Sequence, residues 1–284
     1  RYSLPSRVER LDHVAAGVHV VTGGTGGLGI QWARRLAAAG GSKTVLVLAA
    51  RRHPTTQLQA QLDRIAAATG ASVIVHQADV SNAADAANLL ARGAALKTPS
   101  RPLNVWHLAG VVDDGSASAL TWSKFINVVR PKVHGSLALH AAASAHEPAR
   151  FVMFSSIYGL LGSRELTHYG AANAFQDGLA AARARIGHPS LAVSWGTWAD
   201  AGMAQRFGAG FEAQVKASGM RFVPLDAGFA VLGALAATPQ PCLSHAAVLP
   251  ADWPLYARRR TAVGGPHPLA RELCGPIATV VSKS

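Results

Sequence analysis

The sequence predicts an α/β protein built as a doubly wound parallel sheet. Three observations predict it. Short, continuous apolar runs alternate with Ala-rich stretches of helical length. The runs lack the in–out alternation of a half-exposed sheet, so both faces must be covered, the habit of parallel strands flanked by helices. A Gly-rich junction, "VVTGGTGGLG" at 20–29, links the first run to the first helical stretch.

Taken in order, "VHVVT" (18–22) reads as the first strand, and "GLGIQWARRLAAAG" as a helix ending at Gly40. "KTVLVLAA" (43–50) is the second strand and "TQLQAQLDRIAAATG" the next helix. "SVIVHQADV" (72–80) is the third strand, followed by a helix from Asn82 to about Ala95. "LNVWHLAG" (103–110), "ARFVMFSS" (149–156) and "PSLAVSWG" (189–196) supply strands four to six. Crossovers of this length are right-handed, which gives a Rossmann-like winding. After Trp198 the rhythm breaks, and residues 199–224 read as an irregular lid over a substrate. From about 261 the chain is Pro/Gly-rich and reads as a linker. The expected organisation is one domain over 1–260, its core about 18–256, and a tail over 261–284.

Composition bounds the function. With 284 residues, 49% hydrophobic and 15% charged, the chain buries a sizeable core and is not disordered. The longest apolar stretch, near 227–237, is too short to span a bilayer, so no membrane partner is expected. No apolar run follows the basic residues of the N-terminus, so no secretion signal is expected. The only cysteines, Cys242 and Cys274, lack metal-like spacing, and a reduced, cytoplasmic protein without metal follows most simply. The net charge of +12 fits an anionic partner or an Arg-rich solvated surface. Basic residues are scattered apart from "RRR" at 258–260, with no basic–aromatic stripe, so nucleic acid is not expected.

The Gly-rich junction reads as GxGxxG from Gly24 to Gly29, or as TGxxxGxG with Thr22, Gly23, Gly27 and Gly29. Either way, glycines let backbone approach a pyrophosphate, and the helix N-terminus offers free N–H groups. Thr25 and Leu28 share this turn. The second strand ends "LAARRHP", with Arg51 and Arg52 where an NAD binder would carry an acid. A guanidinium can clamp a ribose 2′-phosphate, so NADPH is the expected cofactor and Arg51 the expected clamp. Asp79, with Val80 beside it, is placed to hold an adenine amino group, or is an ordinary turn residue. Ala109 and Gly110, closing the fourth strand, complete the expected contacts.

Tyr169 and Asn173 are i and i+4 on a predicted helix and share a face. Ser156 closes the fifth strand, at the carboxyl end where ligands lie in such sheets. No lysine follows Tyr169 at i+4; the candidate cation is Lys132, in "VVRPKVHGS".

At these residues the sequence resembles the short-chain dehydrogenase/reductases, and specifically the ketoreductase domains of modular type I polyketide synthases. The resemblance runs from about 18 to 256 through "TGGTGGLG", "HLAGVVDDG", "PKVHGSLALH", "FSSIYGLLG", "YGAANAFQDGLA" and "SWGTWADAGM". Most short-chain reductases carry Tyr and Lys four apart with Asn upstream; the polyketide ketoreductases exchange Lys and Asn, as this chain does. The resemblance implies NADPH-dependent reduction of a β-ketoacyl thioester on an acyl carrier protein. Tyr169 is the implied proton donor, Lys132 the ammonium that lowers its pKa, Ser156 the carbonyl hydrogen-bond donor, and Asn173 the holder of a water behind Lys132. Val112, Asp113 and Asp114 stand where B-type members carry "LDD", and Leu161 stands where the opposite type carries Trp, so a D-configured alcohol is implied. Met203 is expected at the start of the lid, closing over the acyl chain. Trp195 and Trp198 are expected in core and rim packing. The family also implies other synthase domains as partners, including a structural half normally preceding the catalytic one, with apolar surface on helix 31–39 turned toward it. The competing expectations are a free-standing reductase of small ketones or acyl-CoA thioesters, and a non-catalytic nucleotide-binding domain.

Overall fold

The computed structural model describes residues 11–163, 165–199, 208–238, 243–261 and 267–274. Met203 and Cys242 lie outside the described residues. Seven strands form one parallel sheet: β1 (Gly17–Thr22), β2 (Thr44–Ala50), β3 (Ser72–Gln77), β4 (Leu103–His107), β5 (Arg150–Ser156), β6 (Leu191–Trp195) and β7 (His245–Val248), in the order β3-β2-β1-β4-β5-β6-β7. The order reverses direction between β1 and β4, and the crevice outside their carboxyl ends is the switch point of such a sheet.

The helices are α1 (Asp12–Ala15), α2 (Gly27–Gly40), α3 (Thr56–Thr69), α4 (Ala83–Ala94), α5 (Trp122–Val129), α6 (Gly135–Ala143), α7 (Tyr158–Leu161), α8 (Thr167–Arg185), α9 (Gly208–Ala217), α10 (Leu225–Ala237), α11 (Trp253–Thr261) and α12 (Arg271–Cys274). Their starts follow local chemistry. The Thr55, Asn82 and Thr121 side chains each accept backbone N–H bonds at the first turns of α3, α4 and α5.

Strands β1–β6 feed two cores. On one face Val21, Leu46, Leu48, Trp106, Phe154 and Val193 pack with Trp32 and Leu36 of α2 and Phe229 and Leu232 of α10. On the other, Val18, Val20, Val47, Val105, Phe151 and Met153 pack with Leu89 and Leu90 of α4, Leu139 of α6 and Ala180 of α8. The period-2 alternation of strand side chains sorts one continuous apolar run into both cores. Trp32 stacks on Phe229 at 5.5 Å and meets Trp106 edge-on at 4.9 Å. Trp195 and Trp198, both buried, continue this aromatic row at 4.5 Å and reach Phe229.

The structure departs from the sequence reading in four places. Within 199–224, residues 208–217 form helix α9 rather than irregular chain. A seventh strand, β7, extends the sheet beyond the six read from sequence. Residues 268–274, read as linker, form helical turns whose Ala270 and Cys274 are buried against Tyr256 and Ala257. Helix α2 turns Trp32, Ala33, Leu36 and Ala37 inward; among the described residues the large exposed apolar side chains are Trp122, Leu137, Ile186, Leu269 and Leu273 instead.

Candidate active site

Two cavities meet at the carboxyl ends of β1, β4 and β5. One, of about 480 Å³, is lined by Gly23, Thr25, Arg51, Asp79, Val80, Ala109 and Gly110, together with Arg130 and Asn127. Its floor is the Gly-rich turn. Gly23 adopts φ +66°, and a Cβ there would sit 3.0 Å from the Ala109 nitrogen. At Gly29 a Cβ would fall 2.2 Å from the Gly23 carbonyl oxygen, so this glycine serves the turn's own packing. Gly27 opens α2 behind Gly26, and Leu28 faces the second cavity. Burial pushes the Asp79 carboxyl up. Two hydrogen bonds from Ser81 and the charges of Arg51 and Arg130 outweigh that and hold it below its ordinary value. Arg51 and Arg130 thus flank one rim of the cavity; Arg130 went unread in the sequence although it lies two residues before Lys132, because nothing local joins it to the end of β2.

Thr22 ties the turn to the rest of the site. Its Oγ1 accepts from the Ala109 N–H at 3.2 Å and contacts His107 Nδ1 at 2.7 Å. His107 Nε2–H donates to the Pro131 carbonyl at 3.1 Å, which leaves Nδ1 to accept from Thr22. Burial first, then the Lys132 charge, lowers the His107 pKa to about 3 against the Pro131 bond. The ring therefore stays neutral and keeps this one tautomer. The chain Ala109–Thr22–His107–Pro131 locks the ends of β1 and β4 to the residue preceding Lys132.

Lys132 lies in a π-helical turn, Arg130–His134, between α5 and α6. Such a turn holds one residue more than an α-turn and redirects its side chains. Lys132 points into the protein at 3% exposure. Its Nζ donates to the Phe154 carbonyl at 2.8 Å and to Gln176 Oε1 at 3.1 Å, and sits 5.6 Å from the centre of the Tyr169 ring. Gly110 leaves room for this stem: a Cβ there would come within 3.0 Å of Lys132 Cε. Burial lowers the ammonium pKa to about 7, with the Asp177 charge opposing it.

The second cavity, of about 500 Å³, is lined by Ser156, Tyr169, Lys132, Leu28, Gly110, Val112, Asp114 and both Trp195 and Trp198, among others. Ser156, Tyr169 and Lys132, far apart in sequence, thus share one wall. Ser156 Oγ accepts from the Tyr158 N–H at 3.3 Å. Tyr158 packs edge-on against Tyr169 at 6.5 Å. Burial pushes the Tyr169 phenol up to about 12, with the neighbouring Ser156 and Asn173 side chains opposing and Tyr158 adding to the rise. The sequence reading has Lys132 bring this phenol below its ordinary ~10; desolvation wins instead, and the proton is held firmly.

Asn173 is fully buried and does not bond Lys132. Its Nδ2 donates to the Tyr169 carbonyl one turn back at 2.7 Å, and its Oδ1 has no partner among the described residues. The partner of Lys132 is Gln176, whose Nε2 donates in turn to Ser136 Oγ at 3.1 Å. Gln176 follows Tyr169 by seven residues on α8, so heptad-like spacing was the signal available for it.

The Val112–Asp114 loop divides its duties. Val112 and Asp114 face the second cavity. The Asp113 carboxylate instead accepts from Asn127 Nδ2 at 3.2 Å and lies 3.6 Å from Lys124 Nζ. The Asp113 carbonyl accepts from His168 Nε2 at 2.7 Å, next to Tyr169. The first of the two acids therefore fixes the loop to α5 and α8, while the second borders the open space.

Comparison with known proteins agrees with this geometry. The family described as "KR domain" matches residues 17–200. The chain is 38% identical over 264 residues, 92% of its length, to the spectinabilin polyketide synthase system protein NorB of Streptomyces orinoci, and covers 12% of that protein. It is 37% identical over 186 residues, 66% of its length, to the phthioceranic/hydroxyphthioceranic acid synthase of Mycobacterium tuberculosis, covering 8% of it. A solved structure described as an A1-type ketoreductase superposes with a TM-score of 0.75 at 32% identity, over 89% of this chain and 51% of that one. The chain thus spans about half of such a ketoreductase structure and a small part of each synthase. With a parallel seven-stranded sheet, a glycine cradle beside β1 and a match over most of its length, the chain belongs to the KR domain family, whose similar members here are ketoreductases and polyketide synthases.

Proposed function

We propose that this domain, over about 18–256 with 199–224 as its lid, reduces a β-ketoacyl thioester on an acyl carrier protein to the β-hydroxyacyl thioester using NADPH. The observation that carries the reading is the convergence of Ser156, Tyr169 and Lys132 on one cavity that meets the cofactor crevice at Gly110. The crevice fits a phosphorylated dinucleotide. Gly23 keeps its floor free of side chain, while Arg51 and Arg130 give the rim two cations. When bound, the dinucleotide supplies the hydride.

The chain's own groups manage charge and protons. Tyr169, protonated throughout the neutral range, donates its proton to the substrate oxygen as charge develops there. The Ser156 hydroxyl, at the rim of β5, is a second donor to that oxygen, of the kind that strengthens as charge grows. Lys132, poised near neutrality, favours the tyrosinate left behind and can return a proton to it. Asn173, with its unpartnered carbonyl, is the proposed holder of a water supplying that proton. Trp195, Trp198 and Phe211 wall the cavity with apolar surface that excludes bulk water. Val112, Asp113 and Asp114, with Leu161 rather than Trp eight residues before Tyr169, support a D-configured (B-type) alcohol. Met203 is proposed to begin the lid and close over the acyl chain, and other domains of a polyketide synthase are the proposed neighbours.

The test is NADPH consumption on a β-ketobutyryl N-acetylcysteamine thioester, with and without a carrier protein, followed by chiral chromatography. Turnover to the D-alcohol is expected. No turnover on either form sinks the catalytic reading, and an L-alcohol sinks the stereochemical one.

A further inference from the structure

A third cavity, of about 430 Å³, opens directly off the catalytic one. The two share Ile157, Tyr158, Ser163, Thr197, Phe211 and Gln214. Beyond this shared neck the wall is mostly apolar, with Leu161, Val215, Met220, Leu249 and Tyr256 around a single hydroxyl from Ser218, and it ends on Arg259 and Arg260 of α11. Among the described residues no carboxylate lines it. Nearby acids are engaged elsewhere: Glu212 pairs with Lys216 at 2.6 Å, and Asp252 with Arg221 at 3.8 Å. Arg260 Nε is buried with no hydrogen-bond partner among the described residues. A buried guanidinium N–H without an acceptor is costly unless something supplies one.

We propose that this cavity receives the arm of the thioester substrate and that Arg259 and Arg260 bind the phosphate at its far end. The inference rests on the thioester reading above and names the feature of the substrate this site reads. A phosphopantetheine-type arm carries a thioester, two amides, an apolar gem-dimethyl group and a phosphate. The cavity offers polar side chains at its neck, apolar walls behind them and two guanidiniums at the end, in the same succession. Guanidinium forks match phosphate oxygens two at a time, and their strength is greatest where water is partly excluded. The chemistry is shared by a carrier-borne arm and by a free coenzyme A ester.

The experiment is isothermal titration of the NADP⁺-saturated protein with S-acetyl pantetheine, S-acetyl 4′-phosphopantetheine and acetyl-CoA. The wild type is expected to bind the phosphorylated arm about tenfold more tightly than pantetheine, the scale of one charge-assisted pair. Arg259→Gln/Arg260→Gln is expected to bring that ratio to about one. The single variant Arg259→Glu, at an exposed position where folding is insensitive, is expected to invert it. Equal wild-type affinities for the two arms, or a preference that survives both variants, overturns the proposal. Acetyl-CoA matching 4′-phosphopantetheine points to a carrier-borne arm, and tighter acetyl-CoA binding to a free ester; both keep the phosphate site. Reduction of the phosphate-free N-acetylcysteamine thioester is read separately, so failure of the arm site and failure of the ketoreductase reading give different results.

Discussion

The two ends of α8 each meet a buried cation, and they treat it differently. Near the N-terminal end, Lys132 lies 5.6 Å from the centre of the Tyr169 ring beside an open cavity and bonds Gln176 at mid-helix, and burial brings its pKa to about 7. Toward the C-terminal end, Arg183 is 2% exposed, lies 4.1 Å over the Phe151 ring and bonds His140 and the Pro189 carbonyl. Burial lowers its pKa only to about 10. An ammonium concentrates its charge and is strongly hydrated, so losing water moves it far; a guanidinium spreads its charge over a plane that an aromatic face can cover. One helix thus holds a cation that titrates within the working range and another that stays charged and only holds structure.

That contrast can be broken or sharpened by substitution. The largest effect is expected at the reactive end. Tyr169→Phe should lower kcat for the thioester by about 10²–10⁴-fold, the usual contribution of a positioned general acid. NADPH affinity, followed by fluorescence, should barely move. At the structural end, Arg183→Ala removes the stacking partner of Phe151 and leaves a void. It should destabilise the fold by about 2–4 kcal/mol in urea unfolding, with the rate per folded molecule unchanged.

The titration of Lys132 gives the third expectation. Its folded pKa of about 7 lies below the unfolded value of 10.5. Between those values the unfolded chain binds more protons than the folded one, so this group makes stability rise with pH across the window and leaves it flat below about 7. In unfolding titrations the wild type should gain on Lys132→Met by up to about 1.4 kcal/mol per pH unit above neutrality. A gap constant from pH 7 to 10 would show that the ammonium is not desolvated. The smallest effect is expected at Gln176→Leu, which removes one acceptor of the Lys132 amine. It should cost up to about tenfold in kcat and shift the acidic limb of the rate profile.

These expectations also separate what the sequence could reveal from what it could not. Strands β1, β2 and β4–β6 were legible because a doubly covered strand must be apolar throughout, and "VLVLAA" or "RFVMFSS" has few other uses. Ser156 and Tyr169 were legible because one closes a strand and the other opens a helix. β7 was not: four residues, none fully buried, carry too little pattern. Helix α9 was hidden by its glycines, Gly208 and Gly210, which read as loop. Nor could spacing reveal that the Lys132 amine meets Gln176 and a strand carbonyl rather than Asn173, because that depends on the local winding of 130–134.

That winding has a consequence for how the domain tolerates change in length. An α-helix advances about 100° per residue. If one residue were lost from Arg130–His134, the wide turn would relax to ordinary pitch, and everything on one side of it would swing by roughly that angle. The amine would then face outward and Gln176 would be left without its donor, although every side chain named in the site would still be present. Length at this one bend, more than composition around it, decides whether the pocket holds an amine at all.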